Sequence, residues 1–127
     1  MTKVSDWLKI LHIQILAVLV LFAVYVGNAC ACSTRGQAAR AAVKSELRNL
    51  ASAQEAFWAD EGRYALTESE LHFEPSPAVS LVIEGATATG WSARGDHPDT
   101  QWTCAIYVGD APPPREDATD GLVVCWE

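Results

Sequence analysis

Four cysteines, Cys30, Cys32, Cys104 and Cys125, carry the widest chemistry in this chain. Cys30 and Cys32 flank a single alanine, a spacing too short for the two-residue knuckle of a zinc site. At the end of an apolar run they could join subunits by a disulfide, accept a lipid, capture a soft metal, or serve as two small apolar residues on a helix. Cys104 and Cys125 sit in the strand-like runs TCAIYV and LVVCW. Each faces the same way as an apolar residue two positions off, Ile106 and Val123. A disulfide between them is expected if the domain lies outside the cytosol, and two buried free thiols are the alternative. In the chain-entropy picture, closing that loop contributes about 3 kcal/mol, a large share for a small head.

The remaining candidates are weaker. Glu116, Asp117 and Asp120 precede the last strand-like run. Several oxygens on one loop could hold calcium, and a solvated acidic loop is the plainer reading. The histidines are far apart in sequence. His97, in Asp96-His97-Pro98-Asp99, belongs to a solvated turn. His12 lies where an apolar helix meets the headgroups and is cheaply hydrated there. Pro112-Pro113-Pro114 is a stiff spacer. No serine stands on a nucleophile elbow, no glycine-rich loop opens a helix, and no motif places a carboxylate pair. No enzyme activity, cofactor or small-molecule substrate is therefore expected.

Charge narrows the partners. The chain has 127 residues and a formal net charge of −7. Residues 1–32 sum to +1, residues 33–61 to zero, and residues 62–127 to −8. An acidic C-terminal half lacks the basic patch that nucleic acid requires.

These residues need elements to hold them. Residues 10–29, ILHIQILAVLVLFAVYVGNA, contain no charge. As a helix they span roughly 30 Å, one hydrocarbon core. Lys3 and Lys9 precede them, which keeps the N-terminus inside and sends the rest out. Three fates are open: cleavage after Ala31 as a secretory signal, lipidation at Cys30 or Cys32, or retention as an anchor.

The next stretch, RGQAARAAVKSELRNLASAQEAFWADEGRY, is rich in strong helix formers. Val43, Leu47, Leu50, Ala53 or Gln54, and Phe57 recur at spacings of three and four, the apolar face of an amphipathic helix. Gly62 is placed to cap it. With no proline in between, Asp6 to Glu61 could form one helix of roughly 84 Å, which favours retention. Residues 1–61 are thus read as a long helix and residues 62–127 as a globular head.

Beyond Gly62 the pattern changes to a loop with a short helical piece at Thr67–Leu71. Four strands are then expected at Val79–Glu84, Trp91–Arg94, Thr103–Val108 and Leu122–Trp126. Consecutive short strands form an antiparallel meander. One face needs cover, and the stripe from Val43 to Phe57 is the long apolar face available. The predicted fold is α+β: a long N-terminal helix, half membrane-spanning and half amphipathic, packed on a four-stranded antiparallel sheet.

The passage KSELRNLASAQEAFWADEGRYA, residues 44–65, resembles the mid-helix to loop passage of type IV pilins and of the pseudopilins of type II secretion. GWSARGDH, WTCAIYVG and GLVVCW extend the resemblance more loosely to the family's sheet strands and C-terminal cysteine pair. It covers about residues 36–127. The N-terminus departs from the family pattern. The family's cleavage-site glycine would fall at Trp7, its register-setting glutamate at His12, and its helix-bending proline near Ala29. Major pseudopilins use a calcium loop comparable to the one that carries Glu116, Asp117 and Asp120, and residues 109–121 would form an exposed loop of the head.

What the resemblance implies is a structural subunit of a pilus or secretion pseudopilus, single-pass in the cytoplasmic membrane with its head outside, or in an extracellular filament. Leu11, Ile15, Val18 and Phe22 would form its contact surface. Ala17, Ala23 and Gly27 would allow close approach to neighbouring helices. Its partners would be the membrane and other pilin-like subunits, copies of itself among them. Retention without polymerisation fits the departures at the N-terminus. The alternative is an exported, non-polymerising envelope binding module or lipoprotein whose signal is removed near Cys30 and Cys32.

Overall fold

The structure is a computed structural model that describes the backbone of residues 2–127 and the side chains of residues 6–24 and 34–127. The elements run α1 (Thr2–Glu61), β1 (Ser80–Ala86), β2 (Gly90–Asp96), β3 (Thr103–Gly109) and β4 (Val124–Trp126). The architecture is α+β, with an apolar N-terminal helix and a four-stranded antiparallel sheet in the order β1-β2-β3-β4. The chain divides into two compact units, Met1–Thr34 and Arg35–Glu127. The second unit holds the C-terminal half of α1 together with the sheet.

Within Met1–Thr34, the large side chains from Trp7 to Val24 are exposed. A helix can cross hydrocarbon because it satisfies its own backbone, leaving side chains to meet the lipid. Asp6–Val24 is long and apolar enough to do so, or to act as a signal sequence.

Within Arg35–Glu127, α1 turns Val43, Leu47 and Leu50 into a cluster with Leu81, Trp91, Ala93, Cys104 and Ile106. The helix packs tightly over the sheet at Gly95, where an added Cβ would lie 2.7 Å from both Val43 Cγ1 and Leu81 Cδ2. A side chain there would push the helix off the sheet. Glycine's cost in a strand is accepted for that approach. α1 ends as its sequence suggests: Gly62 takes φ 69° and donates its N–H to Trp58 O at 2.8 Å.

The sheet register explains which residues are inward. Leu81 pairs Gly95, Ile83 pairs Ala93, Ala93 pairs Ile106, and Gly95 pairs Cys104. These alternate positions share the helix-facing side. A bulge between Ile83 and Gly85 sets Glu84 out of the ladder. On the opposite side Ala105 and Ser92 are also buried.

Three expectations need correction. Phe57 is only half-buried and outside the core cluster. The inward position one turn after Leu50 goes to Gln54, and Phe57 instead receives the Arg63 guanidinium 5.1 Å from its ring centre. The short helix at Thr67–Leu71 is a pair of tight turns, with Leu71 N–H bonded to Glu68 O and His72 N–H to Ser69 O. Thr67 and Glu70 do cap each other reciprocally, but His72 at φ 50° stops the helix before it starts. The last strand begins at Val124 rather than Leu122, because Leu122 N–H closes a turn onto Thr119 O at 3.0 Å.

Candidate functional site

Three features carry the candidate roles: the cysteines, the exposed apolar helix and the loop before β4. Cys104 and Cys125 face each other across β3 and β4 and form a disulfide with Cα atoms 4.0 Å apart. That separation belongs to a pair flanked by, rather than sharing, ladder hydrogen bonds, where side chains lie closest. The three-residue β4 is thus bonded covalently as well as through its ladder. Cys30 and Cys32 lie outside the residues whose side chains are described, as does Gly27.

The described residues expected to pack helices are exposed. Leu11, Ile15, Val18 and Phe22 are all exposed within the described unit, as are Ala17 and Ala23. Their spacings of four, three and four place the first set on one face. His12 bonds back to Leu8 O through Nδ1 at 2.9 Å, which satisfies one polar ring atom locally. Among the described residues of that unit nothing covers the apolar face.

The acidic loop does not gather a cation site. Asp117 Oδ1 accepts from Arg115 Nε at 2.9 Å, and that bond holds the carboxyl below the usual carboxylate range. Asp120 Oδ1 instead accepts from Gly109 N–H at 3.2 Å, and Glu116 is exposed. Among the described residues, no three carboxylate, histidine or cysteine groups converge on a metal position. The calcium candidate is thus dispersed by local partners. Arg115 also lies 5.7 Å from the Trp126 ring centre, tying the loop to β4.

Sequence reasoning missed the clasp at the end of α1. Gln54 is fully buried and bonds Ala65 twice: Nε2 donates to Ala65 O at 2.9 Å, and Oε1 accepts from Ala65 N–H at 2.8 Å. A glutamine at an apolar stripe position is the available signal, since a buried amide demands partners. Nearby, Tyr64 donates to Glu55 Oε1 at 3.1 Å and Trp58 Nε1 donates to Ala88 O at 2.9 Å. Burial, then the bond to the Glu55 carboxylate, raises the Tyr64 phenol above its ordinary value. Trp91 is buried beside Tyr64, ring centres 6.4 Å apart, and its own indole N–H has no partner among the described residues. Packing rather than hydrogen bonding holds that ring.

A scan against protein-family models finds no match for this chain, and a search of curated proteins likewise finds none.

Proposed function

We propose that this protein is a structural, pilin-like subunit held in the cytoplasmic membrane by residues 10–29. Its head lies on the outer side and its work is packing. The single observation behind this reading is the contrast along α1. Its C-terminal half is used up in a head core with Val43, Leu47 and Leu50, while the side chains of Asp6–Val24 are unburied. Soluble helices bury their apolar stripe within their own domain; this one keeps an apolar surface for something else. Small residues at Ala17 and Ala23 favour close approach of a neighbouring helix. The disulfide supports placement of the head in an oxidising compartment. Pilus, secretion pseudopilus and non-polymerising anchor share this physics.

A second reading has its own observation. The compact units divide after Thr34, so cleavage after Ala31 would leave the whole of Arg35–Glu127 intact. That suits an exported binding module freed from its signal, or a lipoprotein modified at Cys30 or Cys32.

The intact mass of the protein extracted from host membranes separates the two. A mass that begins at Met1, or within residues 2–10, supports the anchored subunit. A mass that begins at Cys30 or Cys32, with or without lipid, overturns it in favour of the exported module.

A further inference from the structure

The charges of Arg35–Glu127 fall into two sets that do not meet. Each arginine of the C-terminal half already has a carboxylate: Arg63 pairs Glu70, Arg94 pairs Glu84 and Asp96, and Arg115 pairs Asp117. On α1 the situation is reversed. Arg40, Lys44 and Arg48 follow one another at intervals of four, which puts them on one stripe. Among the described residues none of them has an acidic partner, although Arg40 stacks 4.5 Å from the Trp102 ring centre. That contact holds the guanidinium in place without neutralising it. Between Arg40 and Lys44 lies a shallow cleft of about 410 Å³, with Gln37 and Ala41 completing its walls. It is a concave, cationic surface in which Arg40 is held by Trp102. The opposite set lies on residues 110–120, where one arginine stands against four acids and Glu116 is exposed without a cationic partner among the described residues.

We propose that the Arg40–Lys44 cleft receives the acidic 110–120 loop of a second copy, with Glu116 entering the cleft. This rests on the reading of the chain as a self-packing subunit and adds the head contact that sets its register. The contact is head-to-tail, because the two surfaces are different parts of one head, so it can repeat from copy to copy. Complementary charge suits such a role, since it suppresses wrong registers as well as supporting the right one. A cleft lined by Arg40 and Lys44 and left empty of acid would repel any copy docked like to like.

The test uses the full chain in membranes, with a photoreactive phenylalanine derivative at Gln37. Illumination should join two copies, and peptide mapping should place the junction within residues 110–120. Lys44→Glu, or Glu116→Lys alone, should lower that yield about tenfold. Mixing Lys44→Glu copies with Glu116→Lys copies should restore it, an outcome that a misfolded variant could not give. Both variants should keep the Cys104–Cys125 disulfide. If copies associate but the yield ignores both substitutions, the head contact is wrong and the self-packing reading stands. Junctions to lipid or to an unrelated protein overturn it equally. If the unsubstituted chain shows no association of copies in membranes, both fall.

Discussion

The Gln54 side chain and the Ala65 backbone form a closed two-bond ring, amide to amide, across the end of the helix. This pairing lets the chain reverse out of α1 with its first inward residues in fixed register. Both Gln54 and Ala65 are shielded from water. Gln54→Ala would strand an N–H and a C=O at once, so unfolding free energy should fall by about 2–4 kcal/mol. Urea denaturation of the full chain in detergent, followed by tryptophan fluorescence, reads this. A loss below about 0.5 kcal/mol would mean that water replaces the clasp without penalty.

A second prediction concerns the tight packing of helix on sheet at Gly95. Gly95→Ala places a methyl 2.7 Å from Val43 Cγ1, and overpacking of this kind costs about 1–3 kcal/mol. Trimming the neighbour should relieve part of it. In a double-mutant cycle, Gly95→Ala with Val43→Ala should be less destabilising than the sum of the two single changes. Strict additivity would show that the strain lies elsewhere.

For the disulfide, Cys104→Ala with Cys125→Ala should lower stability by about 3 kcal/mol. Protein taken from the envelope should resist thiol labelling at both positions until reductant is added. Ready labelling of both without reductant would remove the support for an exported head.

The loop after α1 should respond to acid. Glu70 bonds Arg63, Leu66 N–H and Thr67 N–H, and the Arg63 bond leads in holding its carboxyl below the ordinary value. A depressed folded pKa stabilises above the unfolded carboxylate pKa and is lost as pH falls through the folded one. Protection of the Leu66 amide from hydrogen exchange, corrected for its intrinsic rate, should therefore decline below about pH 4. Glu70→Gln should flatten that decline. Tyr64 runs the opposite way: its raised pKa contributes below about pH 10 and is lost as pH rises. Tyr64→Phe should remove a phenolate absorbance phase that lies above the ordinary tyrosine range.

The apolar helix gives a fifth. Val18→Lys places a charge near the centre of the proposed span, at a cost of about 2.5–3.5 kcal/mol on insertion scales. Carbonate extraction should then release more of the protein from membranes. Unchanged retention would point to another anchor.

Much of the fold is legible in the chain because its strongest signals are periodic. The stripe Val43, Leu47 and Leu50 repeats at helical spacing, and these residues are the helix's share of the core. All four strands lie where β-branched and aromatic residues cluster, with ends that shift by two residues or fewer. The Cys104–Cys125 pairing was readable from two strands with matching inward positions. What pattern could not supply is specific to partners. Gln54 looks like a polar interruption until Ala65 is brought beside it. Phe57 is apolar and correctly spaced, but Arg63, six residues further on, offers its ring a different surface. The reciprocal caps of Thr67 and Glu70 announce a helix that the backbone at His72 then refuses. The extra residue at Glu84 is invisible because a bulge changes register without changing composition. The acids of the calcium candidate are close in sequence, but Asp117 and Asp120 are each drawn to a different local donor.

The bond between β3 and β4 has a mechanical side. Cys104 and Cys125 are separated by 21 positions. A tug between the two chain ends passes directly from one sulfur to the other and bypasses everything between them. At about 3.5 Å per stretched residue, roughly 70 Å of slack is locked away. The arm of the head that carries Glu116 would keep its shape under tension while the disulfide holds, and a load that tore β1 and β2 apart would still leave that arm closed.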